Sequence, residues 1–180
     1  MNKVVVVGSS VIDVIVKSSL LKVVRSTEVE SGVALCEVLG GKMEAEDGIL
    51  VSGGGASNVC VGLRRLGEAA KMISRVGNDE QGKMIKEEMT KEGVDVSMMQ
   101  KGVGKTGMSV VLVNSDGARS IVTYRGESGK IEGEKIDWKM VERADWIQIS
   151  SLGGDMELFS DLINFAHTRG IRIGINPGGK

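Results

Sequence analysis

The 180-residue sequence is poor in the residues that build disulfide frameworks, metal sites and hydrolase centres, with two cysteines, one histidine and one proline. Cys36 and Cys60 lie far apart, and neither has a cysteine or histidine partner at metal-binding spacing. A disulfide framework or zinc site therefore has little support, and we expect a reducing, cytoplasmic location. His167 falls late in a predicted helix. A favourable interaction with the negative end of the helix dipole explains a histidine there without a catalytic role. A single histidine in that setting gives no support to a catalytic triad.

Aromatic residues, charge of one sign and long apolar runs are also scarce. Aromatic residues make up 3% of the chain, and its 23 basic and 24 acidic residues are interspersed, for a net charge of −1. A nucleic-acid interface needs a basic patch and stacking aromatic rings, so we expect no nucleic-acid partner. No run approaches the roughly 18 apolar residues of a membrane span, and we expect no membrane partner.

What the sequence does contain is an alternation of strand and helix patterns, with 41% apolar residues overall. The continuous β-branched run Val4 to Val7, ended by Gly8, is typical of a strand buried on both faces of a parallel sheet. The alternation predicts an α/β fold, an open parallel sheet flanked by helices. The predicted strands are 4–7, 72–76, 146–149 and 171–175, and the predicted helices are 57–66, 83–92 and 156–168.

Two regions interrupt this alternation. Residues 13–17 and 28–51 mix apolar and polar residues at short spacing, and residues 109–124 have the pattern of a hairpin that turns at Asn114-Ser115-Asp116-Gly117. We expect these strands to form a separate small sheet. The residues alone leave two alternatives open: a decorated edge of the main sheet, or a small β lid over a ligand site.

The glycine run Gly53-Gly54-Gly55 precedes a predicted helix. Glycine lets the backbone approach a ligand closely, and the first free N–H groups of a helix attract anions or polar oxygens. A plain strand-to-helix turn explains three glycines equally well. The wider spacing around the run is more specific.

The order of residues after the run resembles the first signature of the PfkB, or ribokinase-like, carbohydrate kinases. The matching positions are Gly54, Gly55, Ala56, Asn58, Gly67 and Gly77. Cys60 departs from the pattern, since a small Ser, Thr or Ala is usual there. The resemblance implies a ribokinase-like fold, and in that family this stretch holds the acceptor sugar rather than ATP.

Asp13 and Asn58 are the polar side chains that the resemblance places at the sugar. Gly8-Ser9-Ser10-Val11-Ile12-Asp13 is similar to the family's first strand and its sugar-binding Asp. A carboxylate accepts hydrogen bonds from two adjacent hydroxyls, although Asp13 could equally cap a turn. The amide of Asn58 offers a donor and an acceptor, and its alternative role is to bond backbone in the first helical turn.

Three further segments match the family more loosely. Residues 107–125 resemble the family's lid strands, but Glu127-Ser128 replaces the usual Ala-Asn and weakens the expectation of substrate contacts there. Ser151 follows a predicted central strand, at the edge where open α/β sheets bind ligands. Asn176-Pro177 is similar to an Asn-Pro or Asp-Pro pair near the family's phosphate path, or is simply a turn signal.

The resemblance implies ATP- and Mg²⁺-dependent phosphorylation of a hydroxyl on a sugar or nucleoside. The family's catalytic Asp lies in a C-terminal Gly-Ala-Gly-Asp turn, which residues 1–180 do not contain. We therefore expect one incomplete ribokinase-like domain, truncated on its C-terminal side, that binds sugar but is inactive alone. No catalytic residue or metal ligand is assigned. The alternative is a non-catalytic sugar-binding module, or one that forms a homodimer through its lid strands.

Overall fold

The computed structural model describes residues 2–176, in which the chain forms twelve strands, four α-helices and two short 3-10 helices. The strands are β1 (Lys3–Val7), β2 (Val11–Lys17), β3 (Lys22–Arg25), β4 (Val33–Cys36), β5 (Asp47–Gly53), β6 (Ala69–Ile73), β7 (Arg75–Gly77), β8 (Gln100–Gly102), β9 (Met108–Val113), β10 (Arg119–Tyr124), β11 (Trp146–Ser150) and β12 (Arg172–Asn176). The helices are α1 (Gly55–Arg65), α2 (Glu80–Lys91), α3 (Trp138–Val141) and α4 (Met156–Arg169), and the 3-10 helices are Gly126–Gly129 and Gly133–Lys135.

The described residues group into two compact units. The first unit, called here the α/β unit, contains residues 2–12, 52–107 and 125–176. The second, called here the β unit, contains residues 13–51 and 108–124. Within residues 2–176, no helix combines the length and apolar character needed to cross a membrane.

The α/β unit is built on a parallel sheet of four strands in the order β12-β11-β1-β6. Val7, at the end of β1, pairs in register with Ile73 on one side and Ile149 on the other. Val4 to Val7 are all buried, as the β-branched run predicts. The open parallel sheet expected from the sequence is confirmed.

Helix α4 covers one face of this sheet. Leu158, Leu162 and Ala166 of α4 belong to the same buried apolar cluster as Val5 and Ile147 of the sheet. The helix begins where Asp155 accepts a 3.0 Å hydrogen bond from the Leu158 amide, and it ends at Gly170, which has a φ of 65°. These local signals explain why the predicted bounds of this helix nearly match the observed ones.

The strand predicted over 72–76 is wrong as a single element. Strand β6 ends at Ile73 and β7 begins at Arg75, where the chain pairs with Gln100–Gly102 instead of with β1. The amide of Gly8, just beyond the end of β1, donates a 3.1 Å bond to the Ile73 carbonyl, whereas the next carbonyl, that of Ser74, accepts a 2.8 Å bond from the Gln100 amide. The polypeptide therefore changes partner at Ser74.

The β unit contains a sheet in the order β10-β9-β2-β5. Strands β9 and β10 form the predicted antiparallel hairpin. The Asn114 side chain accepts bonds from the amides of Asp116 (3.0 Å) and Ala118 (2.8 Å), and Gly117 has a φ of 84°. The Asn and Gly turn signal therefore acts as the sequence predicts.

The other strands of the β unit differ from the expected run over 28–51. A separate two-stranded hairpin pairs β3 with β4, so its first strand begins at Lys22, outside the expected range. Residues 37–46 contain no regular secondary structure, and β5 follows at Asp47. All four residues of β3 are exposed, which removes the burial periodicity by which a strand is usually recognised.

Candidate functional site

Ser9 joins three segments of the α/β unit where strand β1 ends. Its amide donates a 3.1 Å hydrogen bond to the Ser151 carbonyl, and its own carbonyl accepts a 2.9 Å bond from the Ala56 amide. The Ser9 hydroxyl accepts a 3.4 Å bond from the amide of Gly55. The glycine run and Ser151, predicted separately as site residues, are thus held against the same residue at the carboxyl edge of the sheet, where open α/β sheets bind ligands.

Two glycines of the run are required by this close approach. Gly54 has a φ of 92°, and a Cβ atom on it would lie 2.6 Å from the Ser9 carbonyl oxygen. A Cβ atom on Gly55 would overlap the Ser150 hydroxyl. Gly53 is buried at the end of β5. Glycine therefore allows α1 to begin directly against the ends of β1 and β11.

At the start of α1, the exposed group is the Asn58 side chain, because the first backbone amides of the helix already have partners. No side chain caps the helix, but the Gly55 and Ala56 amides are already bonded to Ser9. Asn58, in the first turn, has an exposed side chain. Its amide group can donate a hydrogen bond to a hydroxyl group and accept one from it.

Ser151 and Asn176 line one groove of the α/β unit. The groove has a volume of about 250 Å³ and is bounded by β11, β12 and the start of α4, with Leu152, Met156 and Phe159 in its wall. Asn176 pairs in register with Ser150, which places it at the same sheet edge as Ser151. The Pro177 of the predicted Asn-Pro pair lies outside the described residues.

Asp13 belongs to the β unit, on strand β2, and is half-buried. Burial raises the pKa of its carboxyl group above the usual value, although a hydrogen bond with the Ser109 side chain acts in the opposite direction. A half-buried carboxylate held by one hydroxyl retains capacity to accept further hydrogen bonds.

Glu127 and Ser128, which depart from the family pattern, have structural partners in the α/β unit. Glu127 is buried, forms a 2.8 Å ion pair with Arg75 and accepts a 3.1 Å bond from the Gly104 amide. The hydrogen bond from Arg75 lowers the pKa of Glu127. Ser128 donates to the Ser10 carbonyl and accepts a 3.1 Å bond from the Gly107 amide. In the sequence, the only sign of these hydrogen bonds was the presence of Glu127-Ser128 where the family usually has Ala-Asn.

The last part of the signature shapes a turn. Asp79 caps α2 through a 3.0 Å bond from the Gly82 amide, and it accepts bonds from the Thr106 amide (2.9 Å) and hydroxyl (2.5 Å). A Cβ atom on Gly77 would lie 2.5 Å from the Thr106 nitrogen. Gly77 and Asp79 thus hold residues 104–106 in place, a role that the spacing alone did not reveal.

Cys60, the departure within the signature, is fully buried on α1. Burial raises the pKa of its thiol to about 12, so it stays protonated at neutral pH and acts as a small apolar side chain. Because Cys60 is 0% exposed, its side chain is accommodated in the packing beneath α1.

Comparison with known sequences assigns the chain to a family. The profile of the family described as "pfkB family carbohydrate kinase" matches residues 1–177. The chain belongs to the pfkB family of carbohydrate kinases. The resemblance of the glycine signature to PfkB proteins is therefore confirmed.

The curated relatives that this chain matches include proteins described as sugar kinases. The chain is 27% identical over 127 residues to an ATP-dependent ribose-1-phosphate kinase of Halopiger xanaduensis, which covers 70% of this chain and 42% of the relative. It is 26% identical over 138 residues to fructokinase-1 of Zea mays, covering 75% and 42% of the two chains. The chain thus spans less than half the length of these relatives.

Solved structures confirm the ribokinase-like fold. The Arabidopsis thaliana ribokinase complexed with ribose and ATP superposes with a TM-score of 0.76 at 22% identity, over 99% of this chain and 54% of that one. A 2-dehydro-3-deoxygluconokinase from Thermotoga maritima gives a TM-score of 0.78 at 16% identity, over 100% and 52%. At these identities the likeness concerns the fold alone.

Proposed function

We propose that this chain is the sugar-binding part of a PfkB-type kinase, an enzyme that transfers the γ-phosphoryl group of ATP to a sugar hydroxyl. The observation that carries the proposal is the junction at Ser9, which holds the family's glycine signature against Ser151 at the carboxyl edge of the parallel sheet. Family membership supplies the reaction class.

Each proposed sugar contact follows from the chemistry of its side chain. The Asn58 amide donates to one hydroxyl and accepts from another, and the Asp13 carboxylate accepts from two adjacent hydroxyls. Ser151 adds a hydroxyl at the edge of the sheet, beside the glycine loop. Asn176 lies in the same groove as Ser151 and is proposed to face the phosphate path.

ATP and Mg²⁺ are proposed from the family and not from the residues of this chain. The sequence has no Gly-Ala-Gly-Asp turn, and residues 2–176 contain no group of three or more His, Cys, Asp or Glu side chains placed to hold a metal ion. We therefore assign no metal ligand and no catalytic residue within residues 2–176. What these residues can do is bind and orient the acceptor.

A second candidate function is a sugar-binding or dimerisation module without catalysis. The observation that favours it is the exposure of the β unit: every residue of β10 is exposed, and Val122 and Tyr124, whose side chains share one face of the strand, are 69% and 55% exposed. Contiguous apolar side chains on a sheet mark association surfaces. We propose a homodimer through this surface, in either candidate function, and a cytoplasmic location.

Two measurements on the purified chain separate the candidates. Isothermal titration with ribose, fructose, ribose 1-phosphate and nucleosides measures acceptor binding, and ADP release with ATP and Mg²⁺ measures turnover with the same panel. Binding without turnover supports the sugar-binding part, and sugar-dependent ADP release would show that residues outside our assignment complete a nucleotide site. Binding of none of these acceptors would contradict both sugar-binding proposals.

The homodimer has its own test. Light scattering on the unchanged chain and on Val122→Lys measures the mass, because a lysine on the exposed sheet face opposes association without disturbing the core. Lys101→Ala, on an exposed residue of β8 in the α/β unit, is the matched control. A monomeric mass for the unchanged chain would exclude the dimer.

A further inference from the structure

Ser52, which directly precedes the glycine run, is bound to a carboxylate on another element of the α/β unit. Oε2 of Glu88 accepts a 3.1 Å bond from the Ser52 amide and a 2.6 Å bond from the Ser52 hydroxyl. Both donors of one residue thus converge on a single charged oxygen. Hydrogen bonds to an ionised acceptor are about twice as strong as neutral ones.

This contact matters because residues 53–55 are glycines and have no side chains with which to fix themselves. Glycine also samples the widest range of backbone conformations, so an unanchored glycine loop is costly to order. At the downstream end of the run, the amides of Gly55 and the following Ala56 are bonded to Ser9. Upstream, Gly53 ends strand β5, and the Ser52 contacts with Glu88 add a side-chain anchor at that point.

Glu88 is itself rigidly placed. It lies on α2 between Ile85 and Met89, which are 0% and 1% exposed, and the start of α2 is capped by Asp79. Just past the end of α2, Glu92 forms a 2.7 Å surface ion pair with Arg65 of α1, which adds little to the packing that holds the helix. The Glu88 carboxylate therefore projects from a packed helix, and its two hydrogen bonds fix Ser52 relative to that helix.

We propose that Glu88 is a positioning residue for the acceptor site: through Ser52 it fixes the conformation of residues 53–55 and hence the place where α1 and Asn58 meet the sugar. The inference rests on the proposed function for its sugar part. Its structural part concerns the free chain and can be tested without any ligand.

The test compares the unchanged 180-residue chain with Glu88→Gln, Ser52→Ala, the double variant and the control Glu87→Gln, whose side chain is exposed on the same helix. Hydrogen exchange with mass spectrometry follows the peptide covering 52–58 and peptides covering β1 and β11. Titration with the sugar panel gives the Kd of each variant, and thermal unfolding gives its Tm.

We expect Glu88→Gln to speed exchange in 52–58 about tenfold, since a charge-assisted contact is replaced by a neutral one, and to leave β1 and β11 unchanged. The sugar Kd of this variant should rise about threefold or more. Hydrogen exchange in the peptides outside 52–58 should keep its rate. The double variant should lose no more than the larger single change, because both remove one contact. Glu87→Gln should match the unchanged chain.

Equal exchange in 52–58 for Glu88→Gln and Glu87→Gln would overturn the proposal. A uniform rise along the chain, with a lower Tm, would overturn it too, because it would show a merely structural role. If sugar binds and its Kd is unaffected by Glu88→Gln, the loop is anchored without consequence for the site and the proposal fails. If the unchanged chain binds no sugar, the proposed function fails, while the exchange measurements still decide whether Glu88 anchors the loop.

Discussion

The Nε atom of Arg75 lies 2.8 Å from Oε2 of Glu127, and the two side chains are only 10% and 5% exposed. Arg75 also pairs with Glu132, so its charge is shared between two carboxylates. Glu127 also accepts a hydrogen bond from the Gly104 amide. Its carboxylate occupies the space that a Cβ atom on Gly102 or Gly104 would need. The buried pair therefore holds the 102–104 segment against the loop that follows β10.

Breaking this pair should destabilise the chain strongly. Glu127→Ala leaves the Arg75 guanidinium buried with one of its partners removed, and removal of one member of a buried pair costs about 3–5 kcal/mol. Urea unfolding measures the loss. Lys130→Ala is the control, because Lys130 is exposed and lies 3.6 Å from Glu127, and an exposed pair is worth about 0–1 kcal/mol. Equal losses in the two variants would refute the structural role of the pair.

The capping carboxylate of Asp79 should make stability depend on acid. Burial raises the pKa of this group, but the Thr106 side chain, the Thr106 and Gly82 amides and the Lys105 charge outweigh burial and lower the pKa below its usual value. A lowered folded pKa gives stability that is fully present above the unfolded pKa, about 3.9, and is lost as the pH falls through the folded pKa.

We therefore expect the difference in unfolding free energy between the unchanged chain and Asp79→Asn to be constant from pH 7 to about pH 5 and to shrink below about pH 4. Urea unfolding at several pH values measures it. Asp116→Asn, in the exposed hairpin turn, is the control. A difference that stays constant down to pH 2 would argue against a stabilising ionised Asp79.

Replacing a glycine by alanine should have opposite effects on stability in the glycine loop and inside helix α1. Gly54→Ala places a Cβ atom 2.6 Å from the Ser9 carbonyl at a φ of 92°, so we expect a loss of about 1–3 kcal/mol and weaker sugar binding. Gly62→Ala, inside α1 with open space around its Cβ position, should stabilise the chain by about 0.5–1 kcal/mol. Thermal unfolding and titration with sugars check both, and opposite signs are the decisive result.

Asn58→Ala should weaken sugar binding with little effect on folding. The side chain is exposed in the first turn of α1, so the unfolding free energy should change by about 0.5 kcal/mol or less. Loss of its hydrogen bonds to the acceptor should raise the sugar Kd about tenfold. Asn164→Ala, at an exposed position of α4, is the matched control. An unchanged Kd in Asn58→Ala would remove Asn58 from the proposed site.

Asp13→Asn should also weaken sugar binding, without destabilising the chain. Because burial raises the pKa of the Asp13 carboxyl group, its ionised form is disfavoured in the folded chain, and a neutral amide of the same shape should leave stability at pH 7 equal or higher. The sugar Kd should rise, because the amide accepts fewer hydrogen bonds than the carboxylate. A large loss of stability would instead show that Asp13 serves the fold.

Much of the fold could be predicted from local patterns. The β-branched run of β1, the start of α4 at Asp155 and its end at Gly170, and the Asn114 to Gly117 turn each depend on neighbouring residues, so the chain carries them in its order. The glycine signature likewise specified its family, because its spacing is fixed along the chain. Strand β3, whose residues are all exposed, lacked such a pattern.

What joins these elements was decided only by the tertiary structure. Ser9 brings residues 54–56 to Ser151, Arg75 meets Glu127 from 52 positions away, and Ser52 meets Glu88 from 36. Ser9 meets Ser151 at one edge of the parallel sheet, Glu127 reaches Arg75 from a 3-10 helix, and Glu88 reaches Ser52 from helix α2. Sequence alone determined strand β1, helix α4, the Asn114 to Gly117 turn and the glycine signature, because each depends on residues that are neighbours along the chain. Which side chains then share a partner depends on the packing of distant segments, and no local periodicity encodes it.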